Sequence, residues 1–149
     1  DQVVALAVLM PIVASMGGNA GTQTLTVAVR NLATKDLTAS NAFRIVGRET
    51  AIAFINGIAF AILMGGLAGM WYGSIGGGES LQAGVTLGLV LAAAMIINML
   101  CAGLSGILIP LGLQRAGADP AVSSAVFVTT VTDVIGFFAF LGLAAVFLV

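Results

Sequence analysis

The sequence has 149 residues, 60% of them hydrophobic and 7% charged, with a net charge of −1, whereas soluble domains carry roughly 25% charged residues. A 14.9 kDa soluble fold has too much surface for its volume to hide this apolar area, so lipid must be the solvent over much of the exterior, and a mean hydropathy of +1.16 agrees. With no histidine and a single cysteine, Cys101, the chain is excluded from zinc and soft-metal sites, hydrolase triads and an intrachain disulfide, and its charge balance leaves no basic footprint for nucleic acid.

The chain starts at Asp1 without a methionine or a basic leader, so it reads as a piece of a longer protein and not as a signal peptide. A spanning helix needs about 20 mostly apolar residues. Four stretches meet that length, at about 3–33, 41–77, 81–114 and 120–149. The runs are continuous and far longer than a barrel strand. The expected fold is therefore all-α, a polytopic transmembrane helix bundle forming one domain over 1–149. The connections are short, so sequential helices should run antiparallel.

The first helix is uncharged from Val3 to Val29 and ends at Arg30. Ser15, Asn19, Thr22, Gln23, Thr26 and Arg30 recur at helical spacing and form one stripe. Polar groups facing lipid lose water without compensation. A stripe this long favours a water-filled path over interhelical hydrogen-bond glue. Pro11, Gly17, Gly18 and Gly21 can loosen this helix and free carbonyls toward the path.

The second helix carries its apolar run from Thr50 and stops in Gly76-Gly77-Gly78. Gly57, Ala61, Gly65, Gly69, Gly73 and Gly77 place a small residue at every fourth position, a groove for another backbone. Gly84, Gly88 and Ala92 repeat the device in the third helix. Asn56 and Asn98 are intramembrane amides expected to tie helices together. Asp119 and Pro120 provide an N-cap and a first-turn proline for the fourth helix.

Asp133 lies 13 residues beyond Pro120, roughly 20 Å into the helix and near mid-membrane. An intramembrane acid is costly and marks a functional site by default. Thr129, Thr130 and Gly136 share its face. No basic residue lies at that depth. The ligands on offer are carboxylate, hydroxyl, amide and carbonyl oxygens, which suit Mg²⁺, Mn²⁺ or Ca²⁺. One deep acid cannot cage an ion alone, but two copies about a two-fold axis would bring two carboxylates to it.

All five Lys and Arg residues fall in two links, Arg30, Lys35, Arg44 and Arg48 in one and Arg115 in the other, while the remaining link carries only Glu79. Loops 30–49 and 115–119 should therefore be cytoplasmic. Both ends of this chain then lie outside, so a cytoplasmic domain would need a further helix before Asp1.

The string Pro-Ile-Val-Ala-Ser-Met-Gly-Gly-Asn-Ala-Gly-Thr-Gln at 11–23, with Thr-Leu-Thr-Val-Ala-Val-Arg-Asn-Leu-Ala after it, closely resembles the MgtE family of magnesium channels. Arg44, Arg48 and Glu49, then Asp119-Pro120, then Thr129-Thr130-Val-Thr-Asp133-Val-Ile-Gly136 continue the likeness in the family's order. The resemblance implies a homodimer in the plasma (inner) membrane, five membrane helices per subunit, and a central pore at the dimer interface lined by helices matching the first and fourth here. It implies Mg²⁺ as the transported ion, bound as a hydrated ion by Asp133. Its shell would be Gly18, Thr22, Thr26 and the Thr129 carbonyl, with Ser15, Asn19, Gln23 and Thr130 lining the path. Some members carry Asn where this chain has Thr22. The family's first membrane helix and its cytoplasmic regulatory domains lie outside this sequence. The rival readings are a proton- or sodium-coupled cation carrier using Asp133 and a non-transporting membrane scaffold. An enzyme is not expected, since no base accompanies the one deep acid.

Overall fold

The computed structural model describes residues 2–38, 40–74 and 80–148. Four helices make up almost all of this: α1 (Gln2–Ala33), α2 (Ala42–Ser74), α3 (Leu81–Arg115) and α4 (Pro120–Phe147). Each is long and apolar enough to cross a membrane, and no strand occurs among the described residues. The expected end of the second helix, with Gly76, Gly77, Gly78 and Glu79, lies outside the described residues, as does Val149.

Local chemistry fixes the ends. The Ser80 hydroxyl accepts from the Ala83 amide at the start of α3. The Asp119 carboxylate accepts from the Ala121 amide at 2.9 Å, and Pro120 occupies the first turn of α4, as its fixed φ favours. Between α1 and α2, Lys35 turns the chain with a left-handed φ of 62°. Thr34 donates to Asp36 there at 2.6 Å, and Asn41 accepts from the Thr38 amide and donates to the Asp36 carbonyl. Gly117, at φ 78°, ends the turn between α3 and α4.

Close approaches give the directions. A Cβ built on Gly57, Gly65, Gly69 or Gly73 of α2 would meet Ile96, Gly88, Gly84 and Leu81 of α3 in descending order, so these helices are antiparallel. Gly17 and Gly21 of α1 face Asn98 and Ala102 of α3 in ascending order, so α1 and α3 are parallel. Gly17 and Gly136 share the level of Asn98, and Gly21, Val128 and Ala102 share the next, so α4 numbers fall as α1 and α3 numbers rise, and α4 is antiparallel to both. The helices alternate in direction as expected. They do not pack in sequence order, however: α3 is the central post, packed by the other three, α1 also packs on α4, and α1 and α2 scarcely touch.

The small-residue face of α2 is used as the spacing predicts. A Cβ at Gly65 would stand 2.7 Å from the Gly88 carbonyl, and one at Gly88 would stand 2.5 Å from the Gly65 carbonyl. Such backbone contact maximises dispersion, the main force between helices in lipid. Loosening of α1 is absent. The helix runs unbroken through Pro11, and Gly17 and Gly21 serve as contact points for α3 and α4 instead. Tight packing on two neighbours holds the helix regular across its glycines. Large apolar side chains such as Val8, Ile62, Leu89, Phe138 and Val146 face outward, as lipid allows.

Candidate functional site

The polar stripe of α1 is on the outside of this bundle. Ser15, Asn19, Thr22, Gln23, Thr26 and Arg30 are all exposed, while Gly17, Gly21, Leu25 and Ala28 turn inward. In an aqueous protein that arrangement would be ordinary. On a helix that crosses a membrane it leaves amides and hydroxyls on a surface where lipid cannot hydrogen-bond them.

One edge of the stripe borders α4. A Cβ on Gly18 would lie 3.9 Å from Thr129 Cγ2 and 3.9 Å from Thr132 Oγ1. Glycine at 18 thus lets the two helices meet where α1 begins to turn its polar residues outward. On α4 this seam carries Thr129 and Asp133, both half-buried, with Thr130 exposed beside them. Among the described residues no cationic group pairs with Asp133, and no group of three or more acidic or cysteine side chains gathers around any point. A single chain therefore offers one carboxylate, several neutral oxygens and no closed cage.

The hydroxyls along this seam are oriented by the backbone. Thr22 donates to the Gly18 carbonyl at 2.8 Å and Thr26 to the Thr22 carbonyl at 2.9 Å. Thr129 donates to the Ala125 carbonyl at 3.0 Å and Thr130 to the Val126 carbonyl at 2.7 Å. Each hydroxyl proton is spent on the preceding turn, so each oxygen presents lone pairs outward. A surface of acceptors around a carboxylate suits donors, and the waters of a hydrated cation point their protons away from the metal.

One residue matters here that spacing alone does not single out. Thr132 is fully buried and donates to the Thr129 carbonyl at 3.0 Å, so part of that carbonyl's capacity is already used. The signal available was its position three residues after Thr129, but hydroxyl direction is not readable from spacing. Asn98 was expected to be glue and is. Its Nδ2 donates to the Val13 carbonyl at 2.7 Å, and its amide sits between Gly17 and Gly136. Its Oδ1 is buried without a partner. Asn98 thus joins α3 to α1 one layer behind the seam.

Asn56 departs from its expected role. It is exposed on α2 and lines a cleft of about 180 Å³ over α3, with Gln23 and Thr24 of α1 and Glu49 of α2 among the other walls. The cleft exists because α1 and α2 stand apart, so Asn56 has no helix to tie. Gln23, at the far edge of the stripe, belongs to this cleft and not to the seam with α4.

The family model described as MgtE, divalent cation transporter, matches residues 10–143. The chain belongs to the MgtE family. It is 34% identical over 143 residues to the magnesium transporter MgtE of Enterococcus faecalis, covering 96% of this chain and 29% of that protein. It is 31% identical over 147 residues to the magnesium transporter MgtE of Bacillus subtilis, and 30% identical over 148 residues to that of Thermus thermophilus, in both cases covering 99% of this chain and 30% of the relative. The chain thus spans about 30% of the length of these MgtE relatives. The family and the four helices long and apolar enough to cross a membrane together make it an integral membrane protein, and the relatives are named as magnesium transporters.

Proposed function

We propose that this chain is the pore domain of a Mg²⁺ channel, acting as one unit over its whole length, in which two copies face one another across the α1–α4 seam. The observation that carries this reading is the exposed polar stripe of α1 beside Thr129 of α4, one helical turn from Asp133, on the outside of a membrane bundle. Lipid cannot cover that face at acceptable cost, but a second copy can. It would enclose a polar lumen, and closed two-fold assemblies are the commonest kind.

Asp133 from each copy supplies the negative charge that a divalent ion needs when it leaves bulk water. Mg²⁺ dehydrates reluctantly and keeps several waters, so the ion is held through its water shell. The Thr22 and Thr26 hydroxyl oxygens accept hydrogen bonds from those waters, while Gly18 and Thr129, whose carbonyls already accept from the Thr22 and Thr132 hydroxyls, shape the shell around them. Ser15, Asn19 and Thr130 extend the wet wall, and Gln23 marks its edge. Mn²⁺ and Ca²⁺ share the oxygen preference and differ from Mg²⁺ in size and in how readily they shed water. Loops 30–49 and 115–119 face the cytoplasm of a plasma membrane, lipid covers the remaining apolar faces, and gating belongs to a cytoplasmic regulatory domain outside this chain.

Reconstitution into liposomes tests the reading. Mg²⁺ flux should follow the membrane potential with no accompanying proton or sodium movement. Flux that needs a proton or sodium gradient would make the protein a coupled carrier. Absence of flux from an intact dimer would make it a scaffold.

A further inference from the structure

The cleft between α1 and α2 is unused by the path just described, and its chemistry is distinct from the apolar grooves elsewhere on the bundle. Glu49 is half-buried in it, seven residues into α2 and so roughly 10 Å along the helix from Ala42. The amides of Gln23 and Asn56 and the hydroxyl of Thr24 share its wall, over a floor formed by Met99 and Gly103 of α3. Among the described residues no lysine or arginine pairs with Glu49. Its neighbours Arg44 and Arg48 are both exposed and turned to the surface.

We propose that this cleft is a second station for a hydrated divalent cation, at the inner end of the protein. The cavity, of about 180 Å³, has room for several waters, and bound Mg²⁺ keeps several of its own. The wall supplies one carboxylate for charge and three neutral side chains whose oxygens accept from bound water. The carboxylate has an uncompensated charge at the edge of the hydrocarbon, where a counter-ion stabilises it more than in bulk water. Gln23 lines this cleft and also bounds the α1 stripe, so an ion held here sits beside an edge of the path. The geometry of the cleft is independent of the pore; the choice of a divalent ion rests on the reading above.

Crystals of the protein soaked in Mn²⁺ test this by anomalous scattering. The wild type should show Mn²⁺ in the cleft, at outer-shell distance from Glu49, in addition to any at Asp133. Glu49→Gln should lower occupancy of the cleft at least about tenfold while leaving the Asp133 peak in place, which also shows that the variant is folded. Glu49→Asp, which withdraws the carboxylate by one methylene, should give an intermediate peak. An empty cleft in wild-type crystals whose Asp133 site is filled would overturn the proposal, as would a cleft peak that survives in Glu49→Gln. A filled cleft with no ion at Asp133 would instead sink the pore assignment and leave this site standing.

Discussion

Thr22 and Thr26 each place a hydroxyl oxygen on the outer face of α1 with its proton already given to a carbonyl one turn back. Replacing either by Val keeps the shape and removes the acceptor. Thr22→Val also releases the Gly18 carbonyl, which partly compensates. A net hydrogen bond contributes about 0.5–1.5 kcal/mol, so each variant should lower Mg²⁺ flux roughly two- to tenfold with near-normal thermal stability. Flux assays beside thermal melts of the purified protein check this, and unchanged flux in both variants would remove the stripe from the pore wall. Asn98 behaves oppositely, because it is buried and bonded to Val13. Asn98→Ala should cost about 1–3 kcal/mol of stability, from the lost bond and the space left behind, and a melting temperature equal to wild type would contradict that role. The sequence disclosed Asp133 through its isolation in an apolar run. It could not disclose Thr132 or the cleft, since both depend on which way a side chain turns.

Among the elements, the α2–α3 crossing makes the clearest stability prediction. At Gly88 a Cβ would press on the Gly65 carbonyl, whereas at Gly66 it would meet nothing within 4 Å. Gly88→Ala should destabilise by about 1–3 kcal/mol through overpacking, and Gly66→Ala should be silent or slightly stabilising. Equal melting temperatures for the two would mean that the helices do not cross as described. This crossing was legible beforehand, because a small residue at every fourth position has few purposes in a membrane other than close approach. The centrality of α3 was not. Its glycines face several ways, with Gly84 and Gly88 on α2 and Gly106 on α1, and such multi-sided use becomes visible only when the partners are in place. The regularity of α1 through Pro11 and its glycines has a related cause. Local propensity favours a break, but packing on α3 and α4 overrides it.

For the molecule as a whole, the placement of charge sets the orientation. All the lysines and arginines lie in the 30–48 stretch or at Arg115. In a background with Cys101, which is half-buried in α3, replaced by alanine, single cysteines at Lys35 and Ala116 should react only with reagent on the cytoplasmic side, and one at Glu79 only from outside. Labelling of Lys35 and Glu79 from the same side would end the four-span topology. The spans and their alternation follow from hydropathy, and the charge placement predicts their sidedness. The assembly does not, because a polar face on the outside of one subunit says that a cover is needed without giving its position. Asp133 joins the two levels, since in the proposed pore it acts together with its counterpart from a second copy. In Asp133→Asn the shape stays and both charges go. Removal of charge-assisted hydrogen bonds to the ion's waters costs about 1.5–3 kcal/mol each. The measurement to make is Mg²⁺ affinity and selectivity over Na⁺ and K⁺ in a folded, dimeric Asp133→Asn protein reconstituted in liposomes. Affinity should fall by at least about tenfold with loss of discrimination against monovalent ions, and wild-type affinity and selectivity in that variant would contradict a pore built around Asp133.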